Sequence, residues 1–167
     1  MKNKTCCFTG HRQIPVEDLP ALSAKLREAV IPYIEKGYTF FGAGGALGFD
    51  TLAAQEILSL KKQFPHIKLI LVLPCRDQAV RWEAKDREEY ERIKRSADKI
   101  VYTAERYYPG CMHKRNRHLV DTSSLCVCYL TKDSGGTAYT VKYALAKRVS
   151  VVNLAKKGTI KAPNNNS

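Results

Sequence analysis

The sequence predicts a three-layer α/β sandwich built on a mainly parallel sheet of about six strands. Short apolar runs alternate with segments of helical period along the whole chain. Residues 67–73 are apolar at every position except Lys68, the pattern of a strand buried on both faces. The unusual loops each follow an apolar run, so a parallel sheet would open all of them on one edge. In open sheets of this kind, ligands bind beyond the carboxyl ends of the strands, where strand order reverses.

Each element has its own warrant. Residues 4–8 predict the first strand, followed by the loop Thr9-Gly10-His11-Arg12. After Pro15 and Pro20, apolar side chains at Leu19, Leu22, Leu26, Val30 and Tyr33 or Ile34 keep a near-helical period. Pro32 should kink or shorten that helix, and Gly37 should stop it. Residues 38–41 predict the second strand, which enters Gly42-Ala43-Gly44-Gly45-Ala46-Leu47-Gly48. A helix over residues 51–62 leaves that loop with Asp50 as its expected N-cap. The third strand, residues 67–73, stops at Pro74-Cys75-Arg76. Residues 79–97 predict a long charged helix that turns Trp82, Tyr90 and Ile93 inward. Residues 99–103 follow as a strand, 112–121 as a helix, 125–130 as a strand, 137–147 as a helix and 149–154 as the last strand. These form a single domain over residues 1–154. The basic, Asn-rich tail over residues 155–167 is expected to be disordered.

Composition narrows the function classes. A chain of 167 residues, 44% hydrophobic and 26% charged, has material for one globular core. No apolar run reaches signal-peptide or transmembrane length, so a cytoplasmic location without membrane insertion is expected. The six cysteines show no paired metal-site spacing, and reduced thiols in strands account for them. The net charge of +12 favours an anionic partner without choosing its size, because the basic residues form no single block.

The loops carry the chemistry. Glycine at residues 42, 44, 45 and 48, between a strand and a helix, suits an anion held by backbone N–H groups at the helix's positive end. The loop has neither the lysine of a P-loop nor the spacing of a dinucleotide fingerprint. Gly135-Gly136-Thr137 is a second such turn, where backbone N–H groups and the Thr137 hydroxyl suit a phosphate, or where Thr137 simply caps a helix. Arg115-Asn116-Arg117 supplies forked donors for phosphate, next to the rings of Tyr107 and Tyr108 that suit a base. Arg117 and Asp121 have the spacing of a helical ion pair. Gly10, His11 and Arg12 offer a phosphate or carboxylate contact after the first strand. No metal site or cofactor is expected.

Cys7-Phe8-Thr9-Gly10-His11-Arg12, Gly44-Gly45-Ala46-Leu47-Gly48-Phe49-Asp50, Leu73-Pro74-Cys75, Gly110-Cys111-Met112-x-x-Arg115-Asn116-Arg117 and Gly135-Gly136-Thr137-x-x-Thr140-Val141 together resemble the YpsA-like branch of the SLOG superfamily. The resemblance covers residues 4–154. It implies a Rossmann-like domain that binds a nucleotide or nucleotide-derived ligand, linked to bacterial cell division or stress. Relatives within the superfamily include DprA, which binds single-stranded DNA, and the LOG phosphoribohydrolases. Met112-His113-Lys114-Arg115-Asn116 is similar to the LOG M-H-x-R-K stretch, which would match Arg115 to a catalytic arginine. The LOG glutamate position is Thr140 here, and a hydroxyl cannot serve as a carboxylate base.

The leading expectation is therefore a nucleotide-sensing domain that passes its signal to a protein partner. Phosphate would lie against Gly42, Gly44, Gly45, Gly48, Gly135, Gly136 and Thr137, paired with Arg115, and Asp50 or Asn116 would hold the sugar. An alternative is a nucleotide N-glycosidase using Asp50, Asp121 or Glu83. A further alternative is single-stranded DNA binding, supported by the charge and the tyrosines and less favoured. Homo-oligomers are common, but no seam in the sequence specifies one.

Overall fold

The computed structural model describes residues 1–155 and the backbone of Thr159–Ile160. In chain order the elements are β1 (Thr5–Gly10), α1 (Leu19–Glu35), β2 (Phe40–Ala43), α2 (Phe49–Leu60), β3 (Lys68–Leu73), α3 (Ala84–Ser96), β4 (Lys99–Tyr102), α4 (Cys111–Asp121), β5 (Leu125–Tyr129), α5 (Gly136–Ala146), β6 (Ser150–Asn153) and β7 (Thr159–Ile160). The sheet order is β4-β3-β2-β1-β5-β6-β7. The pairs from β4 to β6 are all parallel, and β7 is antiparallel to β6. The fold is Rossmann-like, and strand order reverses between β1 and β5.

The period-two alternation of the strands sorts the core into two layers. Cys6, Phe8, Phe41, Leu69, Leu71, Leu73, Leu125 and Val127 face α1, α2 and α3. Cys7, Val72, Cys126, Cys128 and Val151 face α4 and α5. All six cysteines are buried and none is in a disulfide. No helix among the described residues is long and apolar enough to cross a membrane.

Several boundaries differ from expectation, each for a local reason. β1 runs on through Thr9 and Gly10, which pair with Cys128 and Tyr129 of β5. Pro32 does not shorten α1, which continues to Glu35 because Leu26, Val30 and Ile34 bury its inner stripe. Gly37, at φ 109°, ends the helix as expected, with Gly37 N–H on Ile34 O and Tyr38 N–H on Tyr33 O. The long helix expected over 79–97 begins only at Ala84. Residues 79–82 are turns instead, closed by Val80 N–H on Asp77 O and Trp82 N–H on Ala79 O. Trp82 is half-buried, its ring edge-on to Tyr90 at 5.2 Å. The tail expectation falls mostly outside the described residues; within it, Thr159–Ile160 pairs with Val151 and Val152.

Candidate functional site

A cavity of about 230 Å³ opens at the reversal between β1 and β5. β1 contributes Thr9 and Gly10, with His11 and Arg12 just beyond it; α4 contributes Met112, His113, Arg115 and Asn116; α5 contributes Gly136 and Thr137. The glycine-rich loop contributes only Ala46, and α2 adds Asp50. Eight of the thirteen residues singled out from sequence thus line one cavity: Gly10, His11, Arg12, Asp50, Arg115, Asn116, Gly136 and Thr137.

The other five do different work. Gly42 lies within β2, where a Cβ would press on Leu119 of α4. Gly44 leaves room for the Arg115 guanidinium and the Asp50 carboxylate, and Gly45 for Leu73, Tyr90 and Gln78. Gly48 has φ 78°, and a Cβ there would collide with the backbone of His11 and Arg12. Within the loop Ala46 N–H donates to Asp50 Oδ2 at 3.2 Å, and Phe49 N–H, at the start of α2, donates to His11 O at 3.1 Å. The glycines at 42, 44, 45 and 48 thus make room for side chains and backbone of the protein itself, among them Arg115 and Asp50. Gly135, the fifth, is the N-cap of α5 at φ 98°, outside the cavity lining.

Neither helix that begins at these loops is capped as expected. Gly48 is the N-cap of α2, which places Asp50 in its first turn with the carboxylate turned back to Ala46. Thr137 likewise lies inside α5, two residues past a glycine cap. A Cβ at Gly136 would meet nothing within 4 Å, and its φ is outside the left-handed range. Nothing in the fold requires glycine there. The first N–H groups of α5, beside this open position, have no acceptor within the helix.

Arg115 and Asp50 are 4% and 6% exposed. Arg115 Nε donates to Asn116 Oδ1 at 2.7 Å, and Nη1 donates to Gly44 O. Burial pushes the Asp50 carboxyl above its ordinary range, while Arg115, the Ala46 N–H and Arg12 oppose that rise. Burial likewise lowers Arg115, and Asp50 supports its charge. Arg12 and Arg115 against Asp50 leave the wall with an excess of positive charge beside a helix N-terminus, which suits an anion.

His11 joins the two sides of the reversal. Its Nε2 accepts the Thr131 N–H at 2.9 Å, and its ring lies edge-on to Tyr129. Burial, then Lys132, lowers its pKa from 6.5. A histidine held neutral in the fold binds fewer protons than in the unfolded chain, so its contribution is present above pH 6.5 and lost as pH falls toward the lower folded value. Thermal midpoints of wild type and His11→Gln, compared above and below pH 6.5, should show the wild type losing more on acidification. Equal losses would contradict this tether.

Other sequence candidates lie elsewhere. Asp121 accepts the Tyr143 hydroxyl at 2.7 Å at the far end of α4, and Glu83 precedes α3. Asp50 is therefore the one carboxylate of the three that lines the cavity. Arg117 donates to Tyr139 Oη at 3.0 Å in place of the ion pair expected with Asp121. Thr140 is buried and turns its hydroxyl onto Gly136 O at 2.8 Å. Thr9, Ala46, Met112 and His113 stand inside the sequence motifs but have no role in the site expected from sequence. Met112 and His113 sit one turn before Arg115 and Asn116, so helical spacing from those two was the available signal.

Comparison with known proteins gives a consistent assignment. The chain is 28% identical over 151 residues to a UPF0398 protein of Bacillus pumilus, covering 84% of this chain and 81% of that one. It is 31% identical over 137 residues to the uncharacterized SPbeta prophage-derived protein YoqJ of Bacillus subtilis, covering 72% and 80%. Among solved structures, DNA processing protein A from Helicobacter pylori, described for its single-stranded DNA binding mode, superposes with a TM-score of 0.65 at 18% identity, over 90% of this chain and 64% of that one. The molybdenum cofactor binding protein of Rippkaea orientalis gives 0.55 at 17% identity, over 90% and 76%. At these identities the structural likeness speaks for the fold alone. The family model described as the YspA SLOG family matches residues 6–155, nearly the whole chain, and this protein belongs to that family.

Proposed function

We propose that the protein binds a nucleotide or nucleotide-derived ligand at the β1–β5 reversal, with a phosphate against the N-terminus of α5. The observation that carries this is Gly136: it lines the cavity, the fold does not need a glycine there, and bare helix N–H groups lie behind it. The positive excess from Arg12 and Arg115 supports the same ligand class, and Asp50 and Asn116 offer acceptors for ribose hydroxyls. A binding domain of this kind would act in the cytoplasm by reporting ligand occupancy to a protein partner. Calorimetric titration with AMP, ADP-ribose, NAD and cyclic dinucleotides tests it. Sub-millimolar binding of at least one is expected, and no binding by any would overturn the reading.

A second reading, a nucleotide N-glycosidase, draws support from Asp50 alone. A buried carboxyl with a raised pKa in the cavity has the character of a general acid. Free base released from AMP or NAD, seen by chromatography, would favour it; intact nucleotide after prolonged incubation would exclude it for those substrates.

A further inference from the structure

The cavity at the β1–β5 reversal is small. At about 230 Å³ it falls below the roughly 300–1,000 Å³ usual for small-molecule sites, so it suits a ribose-phosphate better than a whole nucleotide. A second cavity of about 500 Å³ lies beside it, between the loop after β3 and the loop after β4, and Met112 lines both. We propose that this second cavity is the nucleobase subsite, holding an aromatic base between Trp82, Tyr107 and Met112 while the phosphate lies at α5. The assignment rests on the phosphate reading above for the position of the ligand's other end.

The surface chemistry fits a flat aromatic guest. Val80 is 67% exposed and Tyr107 61%, both on this cavity, and Tyr108 follows at 42%. These are three of the five large hydrophobic residues that stand exposed among the described residues. Trp82 also lines the cavity; it meets Tyr90 edge-on and remains half-buried. Arg81 adds a guanidinium plane to the wall. Exposed apolar groups gathered around a concave site mark recognition, where scattered ones would not. Aromatic and guanidinium faces are the usual stacking partners of bases.

The cavity is also held in shape. Arg76 Nε donates to Glu105 Oε2 at 2.7 Å, Arg76 N–H to Glu105 O at 3.2 Å, and Tyr107 N–H to Asp77 Oδ1 at 3.1 Å. These bonds stitch the two loops together before any ligand arrives, which lowers the ordering cost of binding. Gln78 supplies the polar contact. Its Oε1 is the one buried side-chain N or O atom without a partner among the described residues, while its Nε2 makes only long bonds of 3.5 Å to Gly45 O and Tyr90 Oη. Buried acceptors are normally satisfied, and turning this loosely held amide presents the oxygen to the N–H edge of a base.

Trp82 is the only tryptophan in the chain, so its fluorescence reports this cavity directly. The test uses the full chain, titrated with AMP and with ribose 5-phosphate, by calorimetry and by Trp82 fluorescence, alongside Tyr107→Ala. AMP should bind about tenfold or more tightly than ribose 5-phosphate and quench Trp82, while ribose 5-phosphate binds without quenching. Tyr107→Ala, at an exposed position, should weaken AMP by about tenfold and ribose 5-phosphate by less than about twofold. Equal affinities with silent Trp82 would overturn the base subsite and leave the phosphate reading standing. Quenching by AMP with no binding of ribose 5-phosphate would support the base subsite and remove the phosphate reading. No binding of AMP or ribose 5-phosphate would overturn the base subsite, and the phosphate reading falls with it if ADP-ribose, NAD and cyclic dinucleotides also fail to bind.

Discussion

Gly48→Ala should lower stability by about 4 kcal/mol, combining backbone strain with overpacking. Gly48 has φ 78° and ψ −121°, a conformation that side chains resist. The added Cβ would also strike the carbonyls of His11 and Arg12, which are backbone atoms and cannot rotate aside. Relief requires moving the loop after β1, which breaks the Phe49 N–H bond to His11 O and shifts His11 off Thr131. For a domain of this size the midpoint should fall by about 8–16 °C. Gly37→Ala is the control: its φ is 109°, yet a Cβ there meets nothing within 4 Å. It should cost about 1 kcal/mol, from conformation alone. Equal losses at the two positions, measured by thermal or urea unfolding, would show that the Gly48 collision carries no weight.

Arg115→Met should cost about 2–4 kcal/mol, because it leaves two buried acceptors without their donor and removes the nearby charge that opposes Asp50's rise. The guanidinium opposes the burial-driven rise of Asp50, so its removal strands a carboxylate that is only 6% exposed. It also frees Asn116 Oδ1 and Gly44 O, each of which loses a donor. Adding Asp50→Asn removes the stranded charge, so the double variant should be more stable than the sum of the two single losses predicts, by about 1–3 kcal/mol. The pH dependence has a definite sign. Asp50 has a folded pKa above its unfolded value of 3.8, so the folded protein binds the proton more tightly and the cost of burying the charge grows as pH rises. Arg115→Met raises that folded pKa further, so the variant's deficit should narrow on acidification. Additive single losses, or a deficit that widens as pH falls, would contradict this coupling.

Both results turn on a distinction that sequence does not display. A glycine reads the same whether its missing side chain admits a ligand or another part of the protein. Gly48 and Gly136 each precede or begin a helix after a strand, and only the structure separates a position packed against His11 and Arg12 from one facing open space. Strand–helix alternation, the buried run of β3 and the Gly37 stop were legible because they depend on local periodicity and backbone sterics. The assembly of His11, Asp50, Arg115 and Gly136 around one cavity was legible in part, since loops after parallel strands share an edge. Partners were not legible. Arg117 has the helical spacing for Asp121, but α5 brings Tyr139 to the arginine and Tyr143 to the carboxylate. Asp50 has the type and place of an N-cap, but Arg115 arrives from far along the chain and the carboxylate turns inward. Trp82 kept helical spacing with Tyr90 and Ile93 although residues 79–82 are turns, because a turn can bring a ring to the same face.

The two glycine turns thus divide the labour. At the loop after β2 the glycines make room for other parts of the protein, and the turn before α5 faces open space, where we propose that the phosphate lies. Gly136→Asp separates fold from binding at that turn. An acidic residue in the first turn of a helix is neutral to stabilising, by about 0.3–1 kcal/mol, because it meets the positive end of the dipole. The same charge would occupy and repel the place assigned to a phosphate. The decisive measurement is AMP affinity and thermal midpoint, taken side by side for wild type and Gly136→Asp. A midpoint unchanged or raised, with affinity reduced by about tenfold or more, is the predicted result; unchanged affinity in a folded Gly136→Asp protein would contradict phosphate binding at the N-terminus of α5.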